Sequence, residues 1–153
     1  MGQYQIKTKK SYDFFEVSSA FQKSIRRSLE REALYWATEM MHSGKSKYLW
    51  KRMLVMVVED IGIANPSLPQ TAWALHNMYQ WAVHSKVREK DLYTYQMVLL
   101  LVRSPKSRLT DWAQGYANCN HYLHRLDIPE FAIDMHTRQG KSQGKNIDDF
   151  FAE

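Results

Sequence analysis

The stretch AFQKSIRRSLEREALYWATEMM (residues 20–41) decides the fold class. Its apolar residues fall at Phe21, Ile25 and Leu29, then at Ala33, Trp36, Ala37, Met40 and Met41. Steps of three and four stack them on one face of an α-helix and leave the charged residues on the other. Ser28 is a candidate break, so the stretch reads as one long helix or two short ones, closed by Gly44. The next helix is predicted from about Ser46 to Asp60, with Leu49, Met53, Leu54, Met56, Val57 and Val58 on its apolar side. Gly62 then reads as a C-terminal cap, Asn65 as an N-cap and Pro66 as the first residue of a third helix through Leu68, Ala72, Leu75, Met78, Tyr79 and Ala82. A fourth helix starts near Arg88 and buries Leu92, Tyr95, Leu99 and Val102. Ser104-Pro105 repeats the cap-then-proline signal and opens a fifth through Leu109, Trp112, Ala113 and Tyr116. No alternating strand pattern, hairpin signal or internal repeat interrupts the series. The expectation is an all-α, compact domain of about five helices over residues 18–125. It lies between an N-terminal arm (1–17) and an extended C-terminal tail (126–153).

Composition narrows the class. At 153 residues, 44% hydrophobic and 24% charged, the chain has the balance of one ordinary globular domain and not of a disordered one. Its most apolar stretch, Tyr95–Val102, is too short to cross a bilayer, and no apolar segment follows the basic N-terminus, so neither a membrane span nor a secretory signal is expected. The lone Cys119 cannot close an internal disulfide. These features fit a cytoplasmic protein, with nucleoid association as an option. The net charge is +5, and residues 1–60 hold eleven basic against seven acidic residues. Lys45, Lys47, Lys51 and Arg52 are the densest cluster, either a solvated helix face or a patch that tracks phosphates of DNA. Arg138, Lys141 and Lys145 are further phosphate candidates in the tail. Five Trp and nine Tyr could stack on single-stranded bases, although helical spacing assigns most of them to the core first.

Several fragments imitate catalytic motifs. Gly-Lys-Ser occurs at Gly44–Ser46 and at Gly140–Ser142, but a phosphate-binding loop needs a glycine five residues earlier, where Glu39 and Met135 stand. Cys119, His121 and His124 cluster without a convincing further metal ligand, Asp127 being the nearest option, and read as surface residues. Asp134 and His136 form a carboxylate–imidazole pair in sequence with no nucleophile close by. No catalytic constellation, metal site or cofactor fingerprint is expected. Glu59 and Asp60 are physically odd, because acids in the last turn of a helix oppose its dipole. A nearby base or the amides of the next helix must compensate, which makes Glu59, Asp60, Gly62, Asn65 and Pro66 a pinned interhelical corner.

The segments Lys23–Arg26 (KSIR), Ala33–Met40 (ALYWATEM) and Glu59–Pro66 (EDIGIANP) occur in an order and spacing that resembles the C-terminal part of the RarA/MgsA family, the Werner-helicase-interacting ATPases related to clamp loaders. Ser104–Ser107 (SPKS) is similar to the family's A-P-K-S element, with Ser in place of Ala. The resemblance spans roughly residues 18–115, and the tail after about Arg125 stands outside it. It implies a helical oligomerisation domain like a clamp-loader collar, assembling as a homo-oligomer with a tetramer favoured. It also implies a setting of DNA replication and repair, with a RarA-type ATPase, a sliding clamp or a single-strand-binding protein as partners. The sequence holds no Walker motif, so the ATPase activity is not expected here. A free-standing collar of this kind is expected of a phage or mobile-element protein.

The tail adds one more resemblance. Ile147, Phe150 and Phe151 are similar to the plug of sliding-clamp-binding peptides, although Gly144 stands where such peptides carry Gln. The alternative is an anchor folded back on the chain's own core. The functional expectation is a non-enzymatic replication or recombination accessory that oligomerises and binds replisome partners, with DNA as a further candidate. The alternative is a DNA-binding regulator that uses the basic helical patch.

Overall fold

In the computed structural model, which describes residues 6–152, the all-α expectation holds, and among those residues no strand forms beyond one isolated bridge between Lys7 and Asp13. The helices are α1 (Phe14–Arg26), α2 (Glu30–His42), α3 (Ser46–Met56), α4 (Leu68–His84), α5 (Asp91–Arg103), α6 (Leu109–Leu123), α7 (Arg138–Ser142) and α8 (Ile147–Phe151). A π-turn, Val57–Ile61, follows α3 directly. Contacts divide the chain after Gly115. In the first unit α1 packs on α2 and α5, α2 on α3 and α5, and α4 on α3 and α5.

Local chemistry explains the boundaries. Asp13 caps α1 by accepting from the Phe15 and Glu16 amides, so the helix begins inside the segment read as an arm. The stretch that opened the sequence reading is two helices. Ser28 takes a left-handed φ of 56°, and the Ser28 and Leu29 amides donate to the Ile25 and Ser24 carbonyls. That pair of bonds stops α1 and turns the chain into α2. The same pairing closes α2 at Gly44 and α4 at Lys86.

Inside, Phe21, Ile25, Ala33, Ala37, Met40, Leu49, Met53 and Met56 are buried as their spacing requires. Trp50 joins them on the floor, donating its indole N–H to Thr94 Oγ1 at 3.0 Å and stacking on Tyr79. Thr94 corrects the sequence reading of α5. The helix starts at Asp91 and buries Thr94, Met97, Val98, Leu101 and Val102, leaving Leu92 exposed. Because residues 97–102 are apolar all round, their pattern does not choose a face; the Trp50 N–H, which needs an acceptor, does. Met78 and Val58, also expected inside, are half exposed.

Both proline signals shift. Helix α4 begins at Leu68 with Pro69 in its first turn, and the Asn65 side chain does not cap it: its amide donates to Ser104 Oγ at 3.1 Å. Ser104-Pro105 ends α5 instead of opening α6. Ser104 is extended, with ψ 145°, as the residue before proline prefers, and its hydroxyl donates back to the Leu100 carbonyl. Ser107 stands before α6 and accepts from the Leu109 amide.

The corner around Glu59 and Asp60 ties these elements together. Asp60 is fully buried, with 0% exposure, and its carboxylate accepts from Arg26 Nε and from Gln22 Nε2. Arg26 also reaches Glu59 at 2.8 Å, and Arg52 closes the ring through Gln22 Oε1 at 2.6 Å and Glu59 at 3.9 Å. Burial draws the Arg26 guanidinium down, but the Asp60 hydrogen bond and the charges of Asp60, Glu59 and Asp111 outweigh it and hold it above its ordinary value. The π-turn, whose hydrogen bonds span one residue more than those of an α-helix, carries both acids, which reach Arg26 of α1. On the far side the Asp60 carbonyl accepts from the Ser107 amide at 3.0 Å. Gly62 has φ +52°, and a Cβ there would lie 3.1 Å from the Ser107 carbonyl oxygen and 3.2 Å from Thr110 Oγ1.

The segment from Thr8 to Lys10 is held by a second buried acid. Glu39 is nine-tenths covered or more and accepts from the Lys10 amide at 2.7 Å. Burial pushes its carboxyl up, but the Lys10 amide, the Thr8 hydroxyl and the Lys10 and His42 charges hold it below the ordinary value.

In the second unit, residues 116–152, the helices α7 and α8 and a 3-10 turn at Glu130–Ala132 replace the extended tail expected from low hydrophobicity. Thr137 caps α7, Asn146 and Asp149 form a reciprocal capping box on α8, and the Lys145 ammonium donates to the Ile133 carbonyl. Gly140 lies so close to the Asp134 carbonyl that any Cβ would collide with it. Local capping thus orders a segment whose hydrophobicity alone does not.

Three outcomes follow. Arg26→Ala leaves Asp60 buried without its cation and lowers stability by about 3 kcal/mol, whereas Arg52→Ala, at a half-exposed site, costs less than about 1 kcal/mol; urea unfolding measures both. Gly62→Ala, strained in φ and crowded, costs roughly 1–3 kcal/mol in the same assay. A carboxyl held low in the folded state contributes stability above its unfolded pKa and loses it as pH falls through the folded value. Wild type therefore loses more stability than Glu39→Gln between about pH 5 and pH 3, read from thermal midpoints.

Candidate functional site

Helix α3 carries apolar residues on two sides. One side is the core. The other is built from Lys47, Lys51, Leu54 and Val55, continued by Val58 of the π-turn, with the buried Trp50 ring at its base. Facing it, α4 presents His76, Tyr79, Gln80 and Val83 at steps of three and four, and the two sets line an open groove of about 720 Å3. Trp50 stacked on Tyr79 at 4.8 Å, with His76 tilted against Trp50 at 5.2 Å, makes a rigid aromatic base. The His76 ring places Nε2 3.1 Å from Gln80, while its buried Nδ1 has no hydrogen-bond partner among the described residues. Burial lowers the His76 pKa and raises that of Tyr79. Both shifts keep these rings neutral beside the groove.

The basic candidates separate. Lys47 and Lys51 are exposed and line the groove one helical turn apart. Lys45 sits over the Phe14 ring at 5.5 Å, and Arg52 turns inward to Gln22 and Glu59. In the second unit Arg138 and Lys141 are exposed on α7, while Lys145 is occupied with the Ile133 carbonyl. Ile147 and Phe151 are exposed, and Phe150 is partly covered by the edge of the His136 ring at 5.7 Å. The corner set divides as well: Glu59 and Asp60 share Gln22, Gly62 lies against Ser107 and Thr110, Asn65 bonds Ser104, and Pro66 leads into the turn before α4.

The motif imitations resolve by context. Gly44–Ser46 is the turn between α2 and α3, and Gly140–Ser142 lies within α7, so neither wraps a loop around a phosphate. Asp134 Oδ1 accepts from the backbone amides of His136 and Thr137, which makes it a turn residue and not the partner of an imidazole. Cys119 and His121 are exposed on α6 and His124 just after it, and among the described residues no three His, Cys, Asp or Glu side chains gather to hold a metal ion.

The sequence reading missed the groove itself. Leu54 and Val58 were assigned inward with Met53 and Met56, although one helix cannot turn both sets to the core. Val55, His76, Gln80 and Val83 carried no motif. The available signal was the width of the apolar arc on α3, which exceeds what one packing face uses. Helix α6 is plainer still. Leu109, Trp112, Ala113, Tyr116, Ala117 and Leu123 form a helical stripe, yet none of its fifteen residues is buried. Trp112 is 66% and Tyr116 71% exposed.

Comparison with known proteins agrees with the motif order. The family model described as "MgsA AAA+ ATPase C terminal" matches residues 28–151. It therefore includes most of the tail that short motifs left outside the resemblance, since residues beyond Arg125 carry none of those motifs. Replication-associated recombination protein A of Bacillus subtilis is 31% identical over 135 residues, 88% of this chain and 31% of that protein. The protein of that name from Escherichia coli K12 is 32% identical over 133 residues, 85% of this chain and 28% of its own length. ATPase WRNIP1 of Dictyostelium discoideum is 31% identical over 158 residues, 97% of this chain and 17% of that protein. The chain thus spans less than a third of these relatives and corresponds to their C-terminal helical region. With the KSIR arginine, the EDIG acids and the SPKS turn meeting at one corner, and with the family model running through α8, the chain belongs to the MgsA AAA+ ATPase family, as its C-terminal domain.

Proposed function

We propose that this domain is a self-assembling, non-catalytic module of replication-associated recombination. Helix α6 carries the reading. A fifteen-residue amphipathic helix with no buried residue has an apolar stripe but nothing to pack it on, and exposed stripes of this kind mark contacts between proteins. The chain continues the pattern through Leu126, Ile128 and Phe131, all exposed. Copies of the same domain are the partner that this stripe suits, because one apolar face can cover its symmetry mate. A family ATPase that carries the same domain is the second partner we propose. The replication and recombination setting comes from the names of the relatives. Sliding clamps and single-strand-binding proteins remain proposed partners of the assembled module.

DNA contact is proposed through Lys47, Lys51, Arg138 and Lys141, the exposed members of the basic set. This contact is electrostatic and carries no sequence readout in the residues at hand.

Light scattering at two salt concentrations, with and without a labelled oligonucleotide, tests the reading. The wild-type mass is expected at a small multiple of 18.1 kDa, with four copies favoured. Trp112→Glu with Tyr116→Glu lowers it to a smaller multiple while leaving the helical signal unchanged. A wild-type chain that stays at one copy at high concentration overturns self-assembly. Binding of the oligonucleotide that weakens steeply with salt supports the DNA contact, and no binding at low salt removes it.

A further inference from the structure

The groove between α3 and α4 has a composition that one segment of this same chain complements. Leu54, Val55, Val58 and Val83 make its apolar walls, Lys47 and Lys51 supply positive charge, and none of its lining residues is acidic. A groove of this kind takes apolar side chains that are flanked by carboxylates. The α8 turn offers that combination. Its capping box holds a short helix in place before any binding, with Asp149 engaged by the Asn146 amide. Ile147 and Phe151 are 55% and 78% exposed, and Asp148 stands between them with its carboxylate outside the capping box. A preformed turn has little ordering entropy left to lose on docking.

We propose that the α3–α4 groove of one copy receives the α8 turn of a second copy, with Ile147 and Phe151 entering between Val55, Val58 and Val83 and Asp148 pairing with Lys47 and Lys51. The inference rests on the self-assembly reading and adds to it a second contact, separate from the α6 stripe. Charge complementarity selects the occupant: the chain itself carries both the lysine-flanked apolar groove and the acid-flanked apolar turn. Reciprocal exchange of the turn gives each copy the same contact twice, which suits a closed two-fold pair.

Disulfide trapping between full-length chains tests it. All chains carry Cys119→Ser, because Cys119 is exposed. One chain carries Val58→Cys and the other Ala152→Cys, and the two are mixed and mildly oxidised. A cross-linked pair of unlike chains is expected. Lys47→Glu with Lys51→Glu on the groove chain lowers its yield roughly tenfold, and Asp148→Lys on the other chain restores it. No mixed cross-link, or one indifferent to the charge reversal, overturns the inference. So does a chain carrying both cysteines that closes only within itself. A closed oligomer in light scattering without the cross-link removes this contact and leaves self-assembly standing; a single-copy mass removes both.

Discussion

The buried carboxylate of Asp60 is the constraint around which the first unit is arranged. A carboxylate taken fully out of water is costly unless a cation and further donors surround it. Arg26 supplies the cation from the end of α1, Gln22 adds a donor from the same helix, and Arg52 steadies Gln22 from α3. Each of these bonds spans 30 residues or more of sequence. The acid therefore does what a hydrophobic contact cannot do as selectively. It fixes the direction in which α1, α3 and the chain after the π-turn meet.

That direction has consequences on both sides of the corner. The Asp60 carbonyl takes the Ser107 amide, and Gly62 lets the backbone approach Ser107 and Thr110, so the start of α6 is set by the same few residues. Lys106 reaches the Val102 carbonyl and Ser28, and burial lowers its pKa while Asp60 opposes that shift. Three of the four segments that carry the family resemblance, KSIR, EDIGIANP and SPKS, thus meet in one charge-and-hydrogen-bond node. Away from the node, the molecule leaves apolar surface uncovered on α6 and along the outer side of α3. These two open apolar surfaces are the observations on which the proposed self-assembly rests.

The helix content and the inward faces of α1, α2 and α4 were legible because their apolar residues repeat at one period and occupy one arc. Legibility failed where that arc was too wide. Residues 97–102 are apolar on every side, and the choice of Thr94 and not Leu92 for the interior came from a hydrogen bond to Trp50, 44 residues away. Proline positions were legible as breaks but not as beginnings or ends, since Ser104-Pro105 and Asn65-Pro66 take their roles from each other through one side-chain hydrogen bond. The tail looked extended because hydrophobicity is a measure of burial, and its short helices are held by caps instead.

Helical content, the positions of the main breaks, the need to compensate Glu59 and Asp60, and the family that the motifs resemble could all be read from residue order. All of these depend on residues a few positions apart, where helical geometry fixes who is neighbour to whom. The identity of Arg26 as the compensating base, the inward turn of Arg52 away from Lys47 and Lys51, and the groove between α3 and α4 came from packing. Those outcomes depend on the angles at which helices cross, and a one-dimensional pattern carries no record of those angles.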